Sequence, residues 1–235
     1  MNSPDTSSTA AEIRQAIVDI PPAMVAAAPI GLLYGALATA KGMGVVDVLL
    51  TSALVFAGGA QLAAVQIWTY PVPIAALLVS TLLINARYIL MSASLAPKVA
   101  HLPLVGRIVG FHVLADENWA MSERRAGGGR ISAPYFFGMG AVFWVNWMSF
   151  SFLGALTGPL IGDPTRWGAD FAFTAMFIAL TAGFAKSRTS VMVIVAAAVA
   201  AAGTHLTIGA PWHVLAGALT GITVAAILGG DEAAT

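Results

Sequence analysis

VPIAALLVSTLLINARYILMSASLAP, from Val72 to Pro97, is an apolar run in which Arg87 is the one charged residue. A run of this length suits a membrane-spanning helix, which needs roughly 20 apolar residues. On such a helix Arg87 lies about two-thirds of the way along, roughly 15 Å from the nearer end and beyond easy snorkelling reach. A guanidinium left in hydrocarbon costs about 3 kcal/mol or more, so the fold must supply a partner, a water-filled cavity or a bound substrate. The alternatives to a functional arginine are a structural hydrogen bond between helices or a partly snorkelled side chain.

The rest of the chain agrees with this reading. Its 235 residues are 58% hydrophobic and 9% charged, with a mean hydropathy of +0.84. Soluble domains carry about 25% charged residues, so the composition is that of an integral membrane protein. The expected organisation is one transmembrane domain over residues 13–229, between a disordered N-terminal tail over 1–12 and a short C-terminal tail over 230–235. The first twelve residues are polar and lack the basic start of a cleavable signal. Net charge is zero and no long basic run is present, so nucleic acid is not an expected partner. With no cysteine, disulfide and thiol chemistry are excluded.

The expected fold is an all-α polytopic transmembrane bundle of seven or eight membrane segments, with broken or re-entrant helices among them. The segments are about Ile13 to Ala40, Val45 to Tyr70, Val72 to Pro97, Leu104 to Ser122, Ala133 to Leu156, Ala169 to Ala185, Thr189 to Leu206 and Trp212 to Leu228. The second is interrupted at Gly58-Gly59. The fourth carries Arg107, His112, Asp116, Glu117 and Asn118, which makes it too polar for a lipid-facing span and too apolar for a free loop. The last helices are rich in alanine and glycine, which lets backbones approach closely in lipid.

Basic residues in the loops bear on orientation. If Leu104 to Ser122 spans, a cytoplasmic N-terminus gathers Arg14, Arg124, Arg125, Arg130, Lys186 and Arg188 inside, against Lys41, Lys98, Arg107 and Arg166 outside. If that segment dips in and returns, an external N-terminus leaves only Arg14 and Arg166 outside. The second bias is stronger and favours a re-entrant or interfacial fourth segment.

Three polar clusters are costly in a membrane unless something occupies them. At Gly58, Gly59 and Gln61 an unwound turn would offer backbone groups and an amide to a substrate, while the bland use is close helix packing. At Asn85 and Arg87 the arginine fork suits a carboxylate, and the protein-only alternative is an ion pair with Asp116 or Glu117. On a regular helix Asn85 and Arg87 project about 200° apart, so only one need face a cavity. At Asp116 and Glu117 the carboxylates suit an ammonium group or a coupling proton, the alternative being the solvated face of an interfacial helix. His112 and Asp116 are spaced like half a metal site, but suitably spaced further ligands are missing and no metal is expected. Asn146, between Trp144 and Trp147, is a further substrate candidate, with an interhelical hydrogen bond as the plainer use.

Three motifs occur in order: Val55-Phe56-Ala57-Gly58-Gly59-Ala60-Gln61, then Leu83-Ile84-Asn85-Ala86-Arg87-Tyr88 through Ser94-Leu95-Ala96-Pro97, then Leu114-Ala115-Asp116-Glu117-Asn118-Trp119-Ala120. Together with the order of hydropathic segments they resemble the AzlC/YgaZ family, the large subunits of bacterial branched-chain amino-acid exporters. A weaker match lies at Gly168-Ala169-Asp170-Phe171-Ala172. The resemblance implies a multi-pass inner-membrane secondary transporter that exports valine-like amino acids. It also implies a separately encoded small membrane subunit of the AzlD/YgaH type as partner. No cofactor is implied, and the absence of a nucleotide-binding motif makes an ion gradient the expected energy source. A membrane-embedded enzyme would need a nucleophile with its base or a metal constellation, and no GxSxG or HExxH occurs. A structural subunit whose pathway lies in a partner is the remaining rival.

Overall fold

The computed structural model describes residues 8–161, 171, 175, 178, 181–182, 185, 187–209 and 212–232, and all regular structure among them is helical. Contacts divide the chain into two units, one formed by Met1–Gln66 with Asn85–Trp167 and the other by Ile67–Ile84 with Gly168–Thr235.

In the first unit, α1 (Thr9–Asp19) starts where the Ser8 hydroxyl accepts the Ala11 N–H at 3.2 Å. The helix thus begins inside the stretch expected to be a disordered tail. Glu12 draws it in: this 8% exposed carboxylate meets Arg125 Nη2 at 2.8 Å and the Ser132 hydroxyl. Asp19, at the other end, accepts from the Tyr135 hydroxyl at 2.7 Å.

Pro21 and Pro22 then open α2 (Pro21–Ala40), since a proline loses nothing at the first helical position. Its partner is the long α9 (Ala133–Ile161). On α9 the residues Tyr135, Met139, Phe143, Trp147, Ser151 and Ala155 follow each other every four positions, and each is at most 5% exposed. On α2 the row Ala23, Ala27, Gly31 and Gly35 has the same spacing and is buried. Rows at i±4 on two helices interdigitate. The approach is closest at Gly35 and Gly154: a Cβ on Gly35 would overlap the Ser151 carbonyl and the Ala155 nitrogen, and one on Gly154 would overlap the Leu32 backbone. Only glycine permits that contact.

The second apolar segment is split into α3 (Val45–Leu54) and α4 (Gly58–Ile67). The break is at Val55 to Ala57 rather than at the glycine pair, which instead opens α4. The fourth segment is likewise split, into α7 (Leu104–His112) and α8 (Asp116–Ala126). It is therefore not one continuous spanning helix. The Arg87 segment is interrupted only at Ala86, between α5 (Ile74–Asn85) and α6 (Arg87–Leu95).

In the second unit, α10 (Arg188–Thr207) and α11 (Trp212–Glu232) pair closely. A Cβ on Gly217 would lie 3.2 Å from the Ala197 carbonyl and the Ala201 methyl, so small residues again set the spacing.

Among the described residues, four helices are long and apolar enough to cross a membrane: Pro21–Ala40, Ile74–Leu95, Ala133–Gly158 and Arg188–Thr207. Fewer helices meet that criterion alone than the seven or eight segments expected. The second and fourth segments are built from halves of 9 to 11 residues, each only about 15 Å long. The expected sixth segment, Ala169 to Ala185, falls mostly outside the described residues.

Candidate polar site at two interrupted helices

Phe56 takes a left-handed backbone (φ 43°), unusual for a residue with a side chain, and turns the chain between α3 and α4. Ending α3 there leaves carbonyls of its last turn without helical partners. The Ala53 carbonyl accepts instead from His112 Nε2 at 2.9 Å and from the Trp144 indole at 3.4 Å. Just inside α4, Gln61 is 3% exposed and engaged at both ends. Its amide donates to the Ser52 hydroxyl at 3.1 Å and its carbonyl accepts the Trp147 indole N–H at 3.0 Å. Trp147 also stacks on Tyr34 (ring centroids 6.4 Å), whose hydroxyl shares a 2.5 Å hydrogen bond with Thr51. A Cβ on Gly58 would fall 2.7 Å from Trp147 Cη2, so Gly58 is glycine because the indole lies against it. Gly59 is buried beside it.

Arg87 and Asp116 meet at the second interruption. Arg87 Nη1 lies 2.7 Å from Asp116 Oδ2, with the two side chains 28% and 29% exposed. The guanidinium carbon also sits 5.5 Å from the centre of the Tyr88 ring, within cation–π range. Arg87 Nε is buried and makes no hydrogen bond, and the same holds for Asn85 Oδ1. Ala86 between them keeps helical backbone angles (φ −54°, ψ −28°), so the offset of a regular helix still turns these two residues away from each other.

Asn118 makes the local geometry of α8. Its Oδ1 accepts the Ala115 N–H and its Nδ2 donates to the Val113 carbonyl, both at 2.7 Å, which holds the turn open and presents Asp116 at the first helical position. Burial pushes the Asp116 carboxyl above the ordinary range, with the Arg87 guanidinium pulling the other way. Burial also raises the Glu117 carboxyl, and the neighbouring Asp116 adds to the effect. Further along, α6 and α8 are joined by the Trp119 indole donating to the Ser94 hydroxyl at 2.9 Å and by the Lys98–Glu123 ion pair.

A family model described as AzlC protein matches residues 22–161, which contain both interruptions and the ion pair. The chain belongs to the AzlC family. A relative from Archaeoglobus fulgidus, named only as an uncharacterized membrane protein, is 28% identical over 228 residues, 94% of each chain. No solved structure matches.

Of the candidates named from sequence, this AzlC-family chain brings Arg87 and Asp116 into contact, and charge interactions connect Glu117 with both. Asn85 carries a buried acceptor without a partner. Gln61 and Gly58 are committed to neighbouring side chains, and Asn146 donates to the Met24 carbonyl at 3.3 Å, the interhelical bond that was its plainer use. Sequence reasoning did not find the roles of Ser52, Trp147 and His112. The tryptophans flanking Asn146 were the one visible signal for Trp147. His112 was visible only as half of a metal pattern, whereas its ring in fact binds a backbone carbonyl.

Proposed function

We propose that this chain is a secondary transporter that exports branched-chain amino acids across the bacterial inner membrane, driven by an ion gradient and working with a small AzlD/YgaH-type subunit. The observation that carries the reading is the Arg87–Asp116 pair, which consumes one end of the guanidinium and leaves the buried Nε without a hydrogen bond. An arginine fork grips a carboxylate through two parallel bonds, and the Nε edge is the one available for that grip. A zwitterionic amino acid brings its own anion and cation. Its carboxylate binds Arg87, and its ammonium takes the Asp116 or Glu117 carboxylate. Cargo thereby replaces an internal pair without leaving either protein charge bare, which limits the desolvation cost of loading. The raised carboxyls of Asp116 and Glu117 also suit exchange of a coupling proton.

The test is reconstitution of the chain with and without the small subunit, followed by efflux of labelled valine under an imposed pH gradient. Efflux that requires this chain and follows the gradient is the expected result. Equal efflux from the partner alone would assign the pathway to the partner.

A further inference from the structure

The two interruptions of the first unit are joined by one hydrogen bond. Val55 N–H still closes on the Thr51 carbonyl at 2.9 Å, and Gln61 N–H closes on the Ala57 carbonyl at 2.9 Å. Between them the Ala53 carbonyl reaches across to His112 Nε2. His112 is the last residue of α7, immediately before the second interruption. Asp116, which holds Arg87, opens α8 four residues later. The breaks have matched surroundings: helices of 10 and 9 residues lead into Val55-Phe56-Ala57 and Val113-Leu114-Ala115. A carbonyl can only accept, so the His112 ring carries its proton on Nε2 at this contact.

We propose that His112 is a positioning residue of the transport cycle, tying the α7–α8 interruption to the α3–α4 interruption so that the two rearrange together. This rests on the transport reading above. When a cargo carboxylate draws Arg87 off Asp116, the first turn of α8 loses its ionic anchor and keeps the Asn118 and Trp119 hydrogen bonds. The strut from His112 to Ala53 transmits the resulting shift to the open end of α3. Trp144 bonds to the same carbonyl at 3.4 Å and steadies it from α9. His112 touches no cargo in this scheme, so its loss slows turnover rather than weakening binding.

The experiment compares wild type, His112→Phe and His112→Gln as full-length protein, the glutamine retaining a neutral N–H donor. Valine binding is measured by calorimetry, efflux in proteoliposomes, and backbone hydrogen exchange at residues 53–58 and 113–118. His112→Phe is expected to lower maximal efflux about ten-fold with binding changed by less than about two-fold. Exchange should rise at both interruptions together, and His112→Gln should restore at least about half of the rate. Wild-type efflux in His112→Phe overturns the proposal. So does faster exchange at one interruption only, or a glutamine variant that is folded and as slow as the phenylalanine one. A wild-type chain that neither binds nor moves any amino acid overturns the transport reading itself and this role with it.

Discussion

Replacing Arg87 with lysine keeps the positive charge and removes the fork. In the structure Nη1 is engaged by Asp116 at 2.7 Å, and the buried Nε is the donor left over. Lysine carries a single nitrogen, which stays with Asp116 or moves to cargo but cannot reproduce the planar two-point grip. The loss is therefore one hydrogen bond to a charged group, worth about 1.5–3 kcal/mol. Both side chains are more than a quarter exposed, which places the effect toward the lower bound. At about 1.4 kcal/mol per factor of ten, valine affinity should fall about ten-fold, with about 100-fold as the ceiling. The assay is calorimetric binding of valine and of valinamide, which keeps the ammonium and side chain but lacks the carboxylate. Arg87→Lys should weaken valine and leave valinamide unchanged. Unaltered valine affinity, or an equal loss for both ligands, would refute carboxylate recognition by Arg87.

Two further outcomes follow from the geometry. Burial raises the Asp116 and Glu117 carboxyls, so above the ordinary carboxylate range the folded chain holds more protons than the unfolded one, and stability falls as pH rises through the raised values. Melting temperature in detergent should therefore decline as pH rises above the ordinary carboxylate range, and Glu117→Gln should flatten that decline; an identical slope in the variant would remove Glu117 from the effect. Gly35→Ala places a methyl against the Ser151 and Ala155 backbone, which cannot rotate aside, and should cost about 1–3 kcal/mol, read as a lower melting temperature. An unchanged melting temperature would mean that α2 and α9 are not in close backbone contact.

Much of this was legible in the residues, because hydropathy along a chain needs no partner to be read. Length and apolarity alone mark the runs Ile13 to Ala40, Val72 to Pro97, Ala133 to Leu156 and Thr189 to Leu206, and in each the structure has a helix long and apolar enough to cross a membrane. The cost of a charge in lipid made Arg87 a residue that must be answered by something. The three ordered motifs pointed to the family that the match over residues 22–161 establishes. The place of the breaks was less legible. Gly58-Gly59 weakens a helix in isolation, yet the chain turns two residues earlier, at Phe56, and Gly58 is packed under Trp147, a residue 89 positions away in sequence.

What the sequence determined by itself is therefore the class of the molecule and the list of polar groups that could not be left alone in it. Tertiary structure decided which of those groups answer one another. It gave Arg87 to Asp116, committed Gln61 to Ser52 and Trp147, and set His112 on the carbonyl of a helix ended by its own interruption. The reason is physical: desolvation cost is a property of one residue and its local run, whereas a hydrogen-bond partner is chosen by the fold, which brings together groups with no relation along the chain.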